Sequence, residues 1–133
     1  MANTTFTGPV RSQNGFQSVT KNSTTGAITV NAAYGKSTVV GVQSLSGAGA
    51  VDIVNTLTSL TTTGVAQALT LADGSAGQIK MITHTVDGGS AVLTPTTKIG
   101  FTTITFTNVG DAVTLVYTAA GWAVVGSKGV TIA

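Results

Sequence analysis

The sequence predicts an all-β fold: an antiparallel meander forming a sandwich, barrel or prism-like subunit, with an extended N-terminal arm. Three observations carry that expectation. Of 133 residues, 26 are Thr, 17 Val and 7 Ile, β-branched side chains that lose freedom in a helix and pack well on a pleated surface. Glu does not occur at all, and the other strong helix formers Leu, Lys, Met and Gln are scarce. Turn signals recur through the second half at Asp73-Gly74, Asp87-Gly88-Gly89, Gly100, Gly110-Asp111 and Gly121, where Asp-Gly and Gly-Gly supply the positive φ of tight turns.

Residues 1–20 come first, with Gly8, Pro9, Gly15 and many small polar side chains around the isolated apolar anchors Phe6, Val10 and Phe16. That pattern suits an extended arm that orders against a partner. Residues 21–133 then form a single β domain, a length that closes one core, with the Gly/Ala link Leu45–Ala50 as a candidate seam. Expected strands in the first half are 27–31, 38–43 and a longer one at 51–60. Those of the second half are 66–71, 78–86, 90–95, 102–107, 112–118 and 122–126. Period-two alternation sets Ile104 and Phe106 on one face of their strand, and Val113, Leu115 and Tyr117 on one face of theirs. In QIKMITHTV the apolar phase slips between Met81 and Ile82, which predicts a bulge or a strand buried on both faces.

Charge is the outlying feature. Only 8% of the residues are charged, against roughly a quarter in an ordinary globular domain, so much of the surface is expected to be covered by assembly. The six cations, Arg11, Lys21, Lys36, Lys80, Lys98 and Lys128, are scattered along the chain. Nucleic-acid binding needs a cationic patch, so no nucleic-acid partner is expected. No run approaches the ~18 apolar residues of a membrane helix, and the N-terminus has no apolar stretch resembling a secretory signal. No membrane partner is expected, and synthesis without a classical export signal is.

The inventory for chemistry is thin: one His, four Asp, no Cys and no Glu. Asp73, Asp87 and Asp111 stand beside turn glycines, where a short carboxylate caps its own turn, and Asp52 reads as an exposed strand residue. His84 has no nucleophile or orienting acid near it in sequence and reads as a packed or surface residue. A sharper reading has a trimer axis bringing three copies of His84 together as a metal-binding or acid-sensitive cluster. Gly47-Ala48-Gly49-Ala50 and Gly88-Gly89 lack the Lys-Ser/Thr and helix of a phosphate loop. No enzyme activity, cofactor or metal is expected. Trp122 and Tyr117 invite comparison with a sugar-stacking platform, but the apolar runs around them favour core or intersubunit packing, together with Ile104, Phe106 and Leu115.

Particular segments add a resemblance. FTGPVRSQNGF (6–16) resembles the N-terminal segment of small structural proteins of marine and cyanobacterial tailed phages. ALTLADGSAGQIKMI (68–82) and TITFTNVGDAVTLVYTAAGWAVVG (103–126) are similar to a β-rich module of phage capsid decoration and fibre-like proteins. The resemblance implies a virion component: a capsid decoration, or cement, subunit on the outside of the head, assembling with itself, often as a homotrimer. Its other partner would be the major capsid protein. The arm residues Phe6, Pro9, Val10, Arg11 and Phe16 would lie along the shell or a neighbouring subunit. A receptor- or glycan-binding module of a tail or fibre is the alternative.

Overall fold

The computed structural model describes residues 16–34 and 41–133. The chain divides into two units, residues 1–39 and 40–133. In the first, β1 (Phe16–Lys21) pairs antiparallel with β2 (Ile28–Tyr34), with a register shift between Ser18 and Val19. Asn22 sets the intervening turn: its Oδ1 accepts hydrogen bonds from Thr24 N and Thr25 N, both at 2.9 Å. Residues 16–20, expected as the end of an extended arm, are thus strand. Phe6, Pro9, Val10 and Arg11 lie outside the described residues.

The second unit holds ten strands: β3 (Val42–Ser46), β4 (Gly49–Val51), β5 (Leu57–Thr61), β6 (Gln67–Leu71), β7 (Ile79–Val86), β8 (Ala91–Pro95), β9 (Ile104–Phe106), β10 (Ala112–Thr118), β11 (Gly121–Lys128) and β12 (Thr131–Ile132). They form two five-stranded sheets, β11-β10-β7-β5-β3 and β12-β9-β8-β6-β4. The described residues are all-β, and one apolar core draws on both sheets, as in a sandwich. Leu60, Ile82, Val113 and Leu115 come from the first sheet; Leu69, Leu71, Leu93, Ile104 and Phe106 come from the second.

The pairing differs from a simple antiparallel meander. From β3 to β8 the chain alternates between the sheets, so β3, β5 and β7 run parallel in one while β4, β6 and β8 run parallel in the other. A parallel neighbour requires a crossover, and here each crossover is a strand of the opposite sheet. The winding stacks equivalent positions, Leu45 beside Leu60 beside His84 and Gly49 beside Leu69 beside Leu93. Antiparallel strands close the far side, where β10 joins β7 and β11, and β9 joins β8 and β12. Gly and Asp mark where the chain bends, but not whether it returns within the same sheet.

Three local expectations are corrected by the same winding. The 51–60 strand is two elements in different sheets, β4 and β5, separated by a turn that Asp52 organises. The 45–50 link is the passage from β3 to β4 inside the second unit, whose boundary lies earlier, at residues 39 and 40. At Met81 and Ile82 there is no bulge. β7 alternates regularly with Lys80, Ile82 and His84 on its buried face, and the register shift lies further on, opposite Leu60 and Thr61.

Candidate functional site

The positions opposite the core form the most distinctive surface of the second unit. On the first sheet, the register lines up Val42, Leu57, Met81 and Thr114, and beside them Ile79, Val116 and Ala123. Val42 is 54% exposed and Ile79 50%. Hydroxyls fill the adjoining row: Ser44, Ser59 and Thr83 align, and Ser59 Oγ and Thr85 Oγ1 share a hydrogen bond of 2.9 Å. On the second sheet Ala50, Thr70 and Thr94 align, as do Ala68, Val92, Thr105 and Thr131. Lys128, at the end of β11, is the one charged residue among all these outward strand positions. Where β11 bulges against β10, a shallow groove of about 300 Å³ is lined by Ala112, Val113, Thr114, Gly126, Ser127 and Lys128. A face of methyls and hydroxyls carries little of the penalty that burial imposes on an unpaired charge.

Turns and the interior hold the charges instead. Asp87 accepts from Gly89 N at 2.8 Å, the expected turn cap. Asp73 reaches a different turn, accepting from Thr97 N and Thr97 Oγ1, each at 3.0 Å. Asp111 is buried and accepts from Thr107 N at 2.8 Å and Asn108 N at 2.9 Å. Burial alone would raise its pKa; those bonds and the Thr107 hydroxyl outweigh it, leaving the carboxyl below its ordinary 3.8. A depressed folded-state pKa contributes stability that is present above the unfolded value and lost as pH falls through the folded one. Denaturant midpoints are therefore expected to fall below about pH 4, and Asp111→Asn should flatten that acid limb.

Asp52, expected on an exposed strand, is a partly buried turn residue. Its Oδ1 accepts from Val54 N at 3.0 Å and Asn55 N at 2.8 Å, and its Oδ2 accepts from Asn55 Nδ2 at 2.8 Å. Burial opposes its ionisation, but the Asn55 bonds, the Lys80 charge and the Val54 N–H prevail and lower its pKa. Lys80 is only 1% exposed; its Nζ donates to Asn55 O at 2.7 Å and lies 3.7 Å from Asp52 Oδ1. Desolvation lowers the Lys80 pKa despite the neighbouring carboxylate.

His84 is fully buried inside the subunit. It therefore does not present its ring on an oligomer axis, and the three-histidine cluster is withdrawn. Its Nε2 meets Thr62 Oγ1 at 3.0 Å, while Nδ1 has no hydrogen-bond partner. Thr62 donates its single proton to Gly89 O at 3.0 Å and accepts from Gly88 N at 2.9 Å. The bond count thus assigns the ring proton to Nε2, leaving Nδ1 a bare acceptor, which avoids an orphaned buried N–H. Among the described residues, no three His, Cys, Asp or Glu side chains gather as metal ligands.

The expected packing residues fall mainly in the core. Ile104, Phe106, Leu115 and Trp122 are fully buried, and Trp122 Nε1 donates to Ala72 O at 2.9 Å. Tyr117 is half-buried and meets Trp122 edge-on, ring centroids 5.1 Å apart at 73°. Trp122 therefore offers no face for a sugar to stack on. Phe16 begins β1, whereas the other arm residues lie outside the described set. Sequence reasoning missed the Lys80–Asp52–Asn55 cluster; its one signal was the phase slip in QIKMITHTV, which arises because Lys80 and His84 occupy core positions. The chain matches no family model, and no curated protein matches it.

Proposed function

We propose that the protein is a structural virion component, a capsid decoration subunit that assembles with itself, as a trimer, on the outer surface of a phage head. The observation that carries this reading is the pair of nearly uncharged sheet faces. Such faces pack against identical neighbours and a shell without burying unpaired charge. The phage-like segments at 6–16, 68–82 and 103–126 support the same reading. Binding the assembled shell, and not free capsid subunits, would shift the shell equilibrium toward the intact state.

Charge insertion tests the faces. Ile79→Lys on the first sheet and Thr94→Lys on the second sit at exposed positions that leave the fold intact, and a buried unpaired ammonium costs several kcal/mol. At least one is expected to lower occupancy on capsids roughly tenfold or more, which corresponds to about 1.4 kcal/mol. Unchanged occupancy for both would remove the sheet faces from the interface.

A further inference from the structure

A lysine is almost never fully buried unless paired, and the company Lys80 keeps is chemically specific. Its amine is held at 2.7 Å by the main-chain oxygen of Asn55, and Asp52 spans the two side chains. One Asp52 oxygen lies 3.7 Å from the amine, and the other accepts at 2.8 Å from the Asn55 carboxamide nitrogen. A nucleophile, an acylating group and a proton carrier thus meet beside the core, on β7 and on the turn before β5. Gly41 leaves room for the carboxamide, since a Cβ there would strike Asn55 Oδ1.

We propose that Lys80 and Asn55 join in an intramolecular isopeptide bond, with Asp52 carrying the proton. The Asp52 carboxylate takes a proton from the Lys80 ammonium. The freed amine lone pair attacks Asn55 Cγ, forming the C–N bond and a tetrahedral centre. Asp52 returns the proton to the carboxamide nitrogen, the old C–N bond breaks, and the departing ammonia takes the surplus proton from the new amide nitrogen and leaves as ammonium. Nothing is oxidised or reduced, and Asp52 ends as the carboxylate it began as. In the observed arrangement the amine bonds the main-chain oxygen of Asn55, so attack on Cγ requires the two side chains to turn toward each other. Desolvation favours the neutral, nucleophilic amine, and holding one group on β7 and the other on the turn leading into its neighbour β5 replaces a bimolecular encounter with an intramolecular one. The product ties the β4–β5 turn to the middle strand of the first sheet, closing a loop across 25 positions of sequence. This inference stands apart from the proposed capsid role.

Mass spectrometry of the purified full chain decides it. The folded protein is expected to weigh one ammonia less than its sequence. A denatured tryptic digest should show no cleavage after Lys80 and a branched peptide joining positions 55 and 80. Asp52→Asn retains the turn-capping oxygen and removes the proton carrier, so it should restore both the full mass and the cleavage. A folded wild-type chain of full mass, cut after Lys80 even after prolonged incubation at mildly alkaline pH, would overturn the proposal. The wild-type result alone is decisive, whatever the folding of the variant.

Discussion

Trp122→Ala is expected to cost about 3 to 5 kcal/mol, the range for truncating a fully buried aromatic side chain. Trp122 is the largest fully buried side chain described, at 0% exposure. Its removal opens a cavity, takes the edge-on partner from Tyr117 and strips Ala72 O of its indole donor. The backbone here is equally committed: Trp122 N donates to Thr97 O at 2.9 Å, and Ile99 N donates to Trp122 O at 2.9 Å. The residue therefore holds β11 to the 96–99 loop as well as filling the core. Since whole domains are stable by only about 5 to 15 kcal/mol, the denaturant midpoint should fall by about a fifth or more. Trp122→Phe should recover part of the loss, the remainder reflecting the unpaired Ala72 carbonyl.

Gly89→Ala is expected to match that effect through a different mechanism. Gly89 has φ +142°, and a Cβ there would run into the backbone of Gly64 and Val65. Backbone cannot rotate aside as a flexible side chain can, so the 86–90 turn and the 62–66 loop must separate. That separation breaks the bond from Thr62 Oγ1 to Gly89 O and disturbs the contact between Thr62 and His84. A buried imidazole already lacking a partner at Nδ1 would then lack one at both nitrogens. Strain at a positive φ costs of order 1 to 3 kcal/mol, and a buried polar group losing its partner about 1 to 3 more. Hydrogen exchange at the His84 amide, which donates to Asp111 O at 2.8 Å, should accelerate along with the loss of global stability. A variant as stable as the wild type would contradict the assigned backbone contact.

Much of the strand pattern was legible because β-branched alternation reports burial directly. The 112–118 strand coincides with β10, and 66–71, 78–86 and 90–95 fall within one residue of β6, β7 and β8. The parallel winding was not legible. A glycine-marked bend is compatible with return to the same sheet or passage to the opposite one, and only the long-range register of β3, β5 and β7 distinguishes them. The 51–60 run misled because Val51 and Leu60 are both core residues of opposite sheets, with an Asp52-capped turn between them. Lys80 escaped because its polarity argues for the surface, and for His84 the sequence left packed and surface positions open; the regular alternation of β7 places both inside. Among the residues singled out for packing, Ile104, Phe106, Leu115 and Trp122 were readable from their apolar phase. The neutrality of the outward faces was foreshadowed by the 8% charge content, but its assignment to particular strands required the register.

The proposed role as a capsid decoration subunit is tested most directly by locating the protein in a reconstruction of the virion that carries it. The expected result is density for the β unit at many positions over the outer surface of the head, in trimers, with its uncharged sheet faces against neighbours or shell. A few copies confined to the tail, or no copies on the head, would contradict it.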